Sequence, residues 1–446
     1  MFNKLPTLIL IVYLNGTVIS QLSECVSPDD LFNYENFQLH PNAVFNKSDF
    51  LKTNIPDFHK LQGKGYNYVG SSYDSIVVGT TMIDLNLGKF FHTVVKVFGY
   101  ETQDQLRASD EIKLNKELSW TDPLAAPIYI GCAHDINKRR VFINSEYLDN
   151  TIDIDSFFKL VKSPRQKTEQ FNLMARALLK LHSKGYCHND VKPDNFMYKY
   201  VNEKNLTITK LIDFGSATEI GANYYAGTPL TIAPERLIRP FKTTIESDNY
   251  SLGIVFYITV YGEELMDIDN EEYNEDDDIT FRFNQRHEKI ENQITHIEGK
   301  YHKYDQKNVD ILSALHRVIR GLTNPVMRQR MELTKVIEIF EEVLSEYEPE
   351  SPYLTKNAKD LFKAVYPNSE YYHARYSKPT NTSSQKSGGS SIFSNVFGCM
   401  SSQKTNKPKH KVITGGVPEF NYPEQEILIN HSNLEGQSPI RERLII

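Results

Sequence analysis

Two hydrophobic periodicities divide this chain. Between about residues 61 and 100 the apolar side chains fall in short β-branched and aromatic runs, Ser75-Ile76-Val77-Val78-Gly79-Thr80 and Phe90-Phe91-His92-Thr93-Val94-Val95-Lys96-Val97. Asn86-Leu87-Gly88 between them reads as a turn, so the pattern predicts strand, turn, strand. Residues 102–119 read as an amphipathic helix, and residues 126–132 and 140–143 as two further strands. After Asp149 the period lengthens to that of a helix. Leu173, Met174, Ala177, Leu178 and Leu181 share one face of a helix over residues 171–182, and Gly185 stops it. Helical patterns recur at 247–261, 308–321 and 332–347. The expected architecture is α+β, a small sheet carrying one helix followed by a larger helical region. No internal repeat is visible.

The two ends read differently. Lys4 precedes an apolar run from Leu5 to Leu14, and Val18-Ile19-Ser20 closes the segment. A positive start, a short apolar run and a small residue predict a signal peptide over residues 1–20, cleaved near Ser20. The run is too short for a transmembrane span. This predicts a secreted or secretory-lumen protein; the alternative is a cytoplasmic protein with an apolar extension. Residues 21–60 form a polar, irregular extension. Asn46-Lys47-Ser48 and Asn205-Leu206-Thr207 are then acceptor sequences for N-glycans, while Asn249-Tyr250-Ser251 should be buried in a helix. Asp267 to Asp278 is an acidic insert expected to be a solvated loop. Residues 348–446 are read as a largely disordered tail with a short helix near 357–365; the stretch 377–412 is rich in Ser, Thr, Lys and Gly.

Composition adds little. The chain of 446 residues, 40% hydrophobic and 24% charged, is long enough for a substantial core. A net charge of -7 argues against nucleic acid as the main partner. The four cysteines, Cys25, Cys132, Cys187 and Cys399, have neither zinc-binding spacing nor the density of a disulfide framework.

The candidate chemistry lies in His188-Asn189-Asp190-Val191-Lys192-Pro193-Asp194-Asn195 and, 23 residues after Asp190, in Asp213-Phe214-Gly215. The first segment resembles the catalytic loop of eukaryotic protein kinases, and the second resembles their metal-binding triplet. Lys96 in Thr93-Val94-Val95-Lys96-Val97 resembles their strand lysine. Gly227-Thr228-Pro229 with Ala233-Pro234-Glu235 resembles the substrate-positioning region of the serine/threonine branch. The resemblance spans residues 61–347. It implies a two-lobed kinase fold, with a β-rich lobe over 63–146 and a helical lobe over 150–347.

The resemblance also implies roles. Phosphoryl transfer needs a carboxylate near the attacking hydroxyl and oxygen ligands for Mg²⁺ on the ATP phosphates. Asp190 would orient the hydroxyl and accept its proton, Lys192 would neutralise the moving phosphoryl, and Thr228 would bridge the two. Asp213 and Asn195 would hold Mg²⁺. Lys96 would contact the phosphates and pair with a helix glutamate; Glu111 and Glu117 both lie on the predicted helix, and the spacing of Ile112, Leu114 and Leu118 favours Glu111. The expected ligands are ATP, Mg²⁺ and proteins bearing serine or threonine hydroxyls. Asn189 stands where an arginine usually reads a phosphorylated activation segment, which implies activity without that phosphate.

Two places set this chain apart. The glycine-rich loop aligns best as Gly70-Ser71-Ser72-Tyr73-Asp74-Ser75-Ile76-Val77, with Ser72 and Ser75 where the family has glycine. Gly63-Lys64-Gly65 is an alternative farther upstream. The serines keep a second reading open, a nucleotide-binding pseudokinase. Adenine should bind backbone groups of Glu146-Tyr147-Leu148, with the small Ser145 leaving the back of that pocket open to bulky adenine analogues. Glu235 is expected to pair with Arg328, and Asp248 to anchor the catalytic loop.

Overall fold

The computed structural model describes residues 25, 37–39, 67–71, 75–84, 89–99, 104–135, 140–148, 150–151, 161, 163–201, 204–237, 239–262 and 279–366. The signal-peptide segment, Asn46, the acidic insert, the loop tip with Ser72, and everything after Tyr366 lie outside these residues.

A six-stranded antiparallel sheet forms the small lobe. Its strands are β1 (Phe37–Leu39), β2 (Asn67–Ser71), β3 (Ser75–Asp84), β4 (Lys89–Gly99), β5 (Tyr129–Asp135) and β6 (Arg140–Glu146). They run in the order β1-β3-β4-β6-β5, with β2 also paired to β3. The predicted strands are in place, and β3 and β4 pair antiparallel; the expected turn Asn86-Leu87-Gly88 lies outside the described residues. β1 is an addition: the sequence before residue 60 shows no strand period, yet Phe37–Leu39 pairs with the end of β3. Helix α1 (Asp104–Thr121) lies against the sheet, burying Ile112 with Phe98, Cys132, Val141 and Ile143. Cys25 and Cys132 form a disulfide that ties the N-terminal extension to β5. Neither partner signals the pair in the sequence, where they stand 107 residues apart.

The larger lobe is built on helices. Helix α2 (Pro164–His182) begins where local chemistry starts it. Ser163 and Gln166 form a reciprocal capping box, and Pro164 occupies the first turn, where its missing N–H costs nothing. At its other end Gly185 takes a φ of 85°, a backbone that side chains with a Cβ rarely adopt. Helix α3 (Ile245–Tyr261) is buried on every side from Ser247 to Thr259 and lies at the centre, with Leu252, Ile254, Val255, Phe256 and Tyr257 fully buried. Around it pack α4 (Ile279–Glu298), α5 (Gln306–Leu322) and α6 (Leu333–Tyr347). Of these, α4 was not expected. Its inward residues Phe283, Ile290, Ile294 and Ile297 are sparse and set among charges, which hides the period.

Short strands line the seam below the sheet: β7 (Asn150–Thr151), β8 (Tyr186–Cys187), β9 (Phe196–Val201), β10 (Leu206–Leu211) and β11 (Thr218–Glu219). β9 and β10 form a hairpin, and β8 pairs with β11. Asn205 sits exposed in the turn of that hairpin at φ 50°, whereas Asn249 is buried within α3, as expected. After α6 the chain folds back. Tyr353 and the short helix α7 (Ala358–Val365) pack on the larger lobe, with Leu361 and Val365 buried against Leu124, Leu173 and Ile208. Among the described residues, no helix is long and apolar enough to cross a membrane.

Candidate active site

The sheet and α1 deliver the first group. Lys96 lies in the middle of β4, paired with Val77 on one side and Ile143 on the other, so two neighbouring strands fix its backbone. Its ammonium bonds Glu111 of α1 at 2.9 Å and Asp213 at 2.6 Å. Glu111 is the partner and Glu117 is not; Glu117 instead accepts from Lys184 at 2.9 Å. Burial disfavours the charged form of Lys96, but Asp213 and Glu111 outweigh it and hold the lysine above its ordinary pKa. Lys96 in turn draws the Asp213 carboxyl down to about 2.

Asp213 is held for this contact by an unusual backbone. Its φ of 58° is left-handed, a strained state that aspartate tolerates better than most residues. Its side chain accepts the Gly215 N–H at 3.4 Å. A Cβ on Gly215 would come within 3.3 Å of Asp213 Oδ1 and of Glu111 Oε2, so glycine there lets the carboxylates approach.

The second group forms on the loop between β8 and β9. Asp190 accepts from Thr228 Oγ1 at 2.7 Å through one oxygen, and pairs with Lys192 Nζ at 3.0 Å through the other. Asn195 Nδ2 donates to the Asp190 carbonyl at 2.7 Å and to its carboxylate at 3.1 Å. Thr228 therefore meets Asp190 as expected, while Lys192 reaches the same carboxylate directly. Asp248 of α3 anchors the loop from beneath. It accepts the backbone N–H groups of His188 at 2.7 Å and Asn189 at 2.9 Å, and the His182 ring at 2.9 Å. Burial would raise the Asp248 carboxyl, but these hydrogen bonds and the nearby histidines lower it.

Asn189 does more than vacate an arginine's place. At φ 66° it turns its amide toward the segment after Asp213, donating to Ser216 O and Thr218 Oγ1, each at 2.9 Å. No charge is involved. Sequence reading noted the missing arginine but not this replacement contact.

The remaining expected residues divide. Gly70 lies in β2 beside a break in register between Tyr68 and Gly70; Ser75 is buried at the start of β3, and Val77 is partly buried behind it. Glu146 ends β6 and Leu148 is buried just beyond, with Ser145 partly buried before them. The Glu146 side chain is engaged in a way the sequence does not announce, bonded to Lys199 at 2.8 Å and Lys210 at 2.7 Å.

One pairing needs correction. Glu235 binds Arg330, with Nη1 and Nη2 at 2.5 and 2.8 Å from its two oxygens, and not Arg328. Arg328 lies in the exposed turn Met327–Gln329, whereas Arg330 follows that turn and points inward, fully buried. A two-residue offset across a single turn of 3₁₀ helix is invisible to spacing.

The donor chemistry suits a magnesium ion carried by nucleotide phosphates. Asp213 supplies a carboxylate, and Asn195, with Nδ2 committed to Asp190, has an amide oxygen that could ligate a cation. Among the described residues, no group of three or more His, Cys, Asp or Glu side chains is placed to hold a metal alone. Mg²⁺ typically takes one or two protein carboxylates and completes its shell with phosphates and water.

Comparison with known proteins agrees with this geometry. The family model described as the protein kinase domain matches residues 87–340. A probable serine/threonine-protein kinase of Dictyostelium discoideum, fnkE, is 24% identical over 259 residues, covering 56% of this chain and 18% of that protein. A serine/threonine-protein kinase of Drosophila melanogaster is 35% identical over 114 residues, covering 24% of this chain and 15% of that protein. The mouse serine/threonine-protein kinase DCLK3 is 26% identical over 165 residues, covering 36% of this chain and 20% of that protein. The chain thus matches a fifth or less of the length of these relatives. With a family match over more than half its length, and with Lys96 joined to Glu111 and Asp213 and Asp190 joined to Asn195, the chain belongs to the eukaryotic protein kinase superfamily.

Proposed function

We propose that this protein transfers the γ-phosphoryl group of ATP to serine and threonine hydroxyls of other proteins, within the secretory pathway or outside the cell. The observation that carries the reading is the joint presence of two assemblies, Lys96 with Glu111 and Asp213, and Asp190 with Lys192, Asn195 and Thr228.

Asp190 takes the hydroxyl proton as the new oxygen–phosphorus bond forms and the bond to the departing ADP oxygen breaks. Thr228 and Lys192 hold its carboxylate in place. Lys96, pinned by Glu111, positions the nonreacting phosphates. Bound Mg²⁺ would supply charge neutralisation on the phosphates, with Asp213 and Asn195 as its protein ligands. Lysine two residues after Asp190, together with the Thr228 contact, supports the serine/threonine branch over the tyrosine branch. The disulfide Cys25–Cys132 and the exposed Asn205 acceptor sequence support an oxidising, glycosylating compartment. Serine at Ser72 and Ser75 favours the pseudokinase alternative, since a Cβ penalises the backbone that phosphate-cradling glycines adopt.

The test is phosphate transfer from ATP to a basic protein and to itself, by the full chain secreted from eukaryotic cells. Mg²⁺-dependent transfer that falls by about a hundredfold or more in Asp213→Ala is expected. No transfer, with nucleotide binding indifferent to Asp213→Ala, selects the pseudokinase. A mass unchanged by glycosidase and a reduced Cys25 would place the protein elsewhere.

A further inference from the structure

Behind the end of β6 lies a charge cluster that the transfer step does not use. Glu146 is the carboxylate that both of its lysines bond. Oε1 accepts from Lys199 at 2.8 Å and from the Tyr366 hydroxyl at 2.7 Å. Oε2 accepts from Lys210 at 2.7 Å and from the Ile128 backbone N–H at 3.2 Å. Lys210 also donates to the Tyr366 oxygen at 2.6 Å, so that the phenol links the buried ammonium to the carboxylate. Both lysines lie over the Tyr366 ring, at 5.6 Å for Lys199 and 5.1 Å for Lys210.

These four residues come from four places. Glu146 begins the segment expected to bind adenine. Lys210 sits on β10, three residues before Asp213, and its side chain is wholly buried. Lys199 lies on β9. Tyr366 comes from the chain beyond the last helix of the larger lobe. It caps α7, whose Leu361 and Val365 are buried against Leu124, Leu173 and Ile208, so its position is fixed by packing. Tyr353, earlier in the same returning segment, accepts the Thr207 N–H of β10 at 3.2 Å. The returning segment therefore touches the strand that delivers Asp213 twice.

We infer that Tyr366 is a positioning residue for the nucleotide. Through Glu146 it sets the backbone facing adenine, and through Lys210 it sets the strand leading to Asp213. The segment after the helical lobe is thereby part of the ATP site. This rests on the ATP reading above. Lys210 cannot be solvated, so losing one of its two acceptors shifts it and the carboxylate it shares. The adenine-facing backbone is one bond path from that carboxylate.

The experiment compares the full chain with Tyr366→Phe, which keeps the ring over both lysines and removes only the hydroxyl. ATP affinity, the KM for ATP, kcat and the melting temperature are measured on both. A KM for ATP and an ATP Kd about fivefold higher, with kcat at saturating ATP within about twofold and an unchanged KM for the protein substrate, is the expected result. An unchanged KM for ATP overturns the inference. So does a melting temperature lowered by about 5 °C with KM unchanged, which gives Tyr366 a structural role only. If the unaltered chain binds no ATP, the ATP reading fails first and this inference falls with it.

Discussion

Two lysine–carboxylate clusters in this molecule are built from the same residue types in opposite proportion. Around Lys96, one ammonium faces two carboxylates, Glu111 and Asp213. Around Glu146, one carboxylate faces two ammoniums, Lys199 and Lys210. The first carries a surplus negative charge on a side chain that is 42% exposed, Asp213. The second sets two ammoniums against Glu146, with Lys210 fully buried and both lysines over the Tyr366 ring. A surplus carboxylate open to the cleft is suited to receive a cation. A buried ammonium paired to a buried carboxylate is suited to hold the strand that carries it still. The same residue types serve recognition in one place and support in the other, and charge balance with exposure tells them apart.

The contrast can be broken first at Glu146. Glu146→Ala leaves Lys210 buried without its counter-charge and should cost about 3–5 kcal/mol of stability in chemical denaturation. Asp213→Ala, at an exposed position where salt and water screen the pair, should cost less than about 1 kcal/mol while abolishing transfer. Comparable losses from the two variants would refute the division into support and recognition.

Glu235 and Arg330 form a third, one-to-one pair, which sharpens the comparison. Arg330→Ala should cost about 2–4 kcal/mol, because Glu235 loses both of its guanidinium bonds. Arg328→Ala, at an exposed position, should stay within about 0.5 kcal/mol. The reverse ranking in thermal melts would restore the pairing expected from sequence.

The smallest effect is in acid. Burial would raise the Glu146 carboxyl, but Lys210 and Lys199 outweigh it and hold it at about 2, against an ordinary 4.5. A depressed carboxyl contributes its stability in full above pH 4.5 and loses it as pH falls through about 2. Unfolding free energy should fall across that window by at most about 1.4 kcal/mol for each pH unit from this group. The drop should be shallower in Glu146→Ala; an identical slope would show that other carboxylates carry the acid sensitivity.

The candidate-site groups were legible because each sits in a short motif whose neighbours name it. Lys96, Asp190, Lys192, Asn195, Asp213 and Thr228 all arrive where their local sequence puts them. The supporting groups were not. Glu146 meets Lys210 across 64 residues and Tyr366 across 220, and nothing near any of them records the meeting. Lys210 sits in a strand buried on both faces, where a lysine in Ile208-Thr209-Lys210-Leu211-Ile212 signals a partner without naming it. Arg330 was missed by two residues because one turn decides which arginine points inward. The fold was read at the level of periods, and α4 escaped because its apolar face is thin.

The joint at Asn189 has a consequence of its own. An amide that donates to a carbonyl and a hydroxyl has no ionisation state to lose and no counterions to exchange. Between Asn189 and the segment that begins at Ser216, the contact should hold equally at low and high ionic strength. It offers no phosphate for a phosphatase to remove.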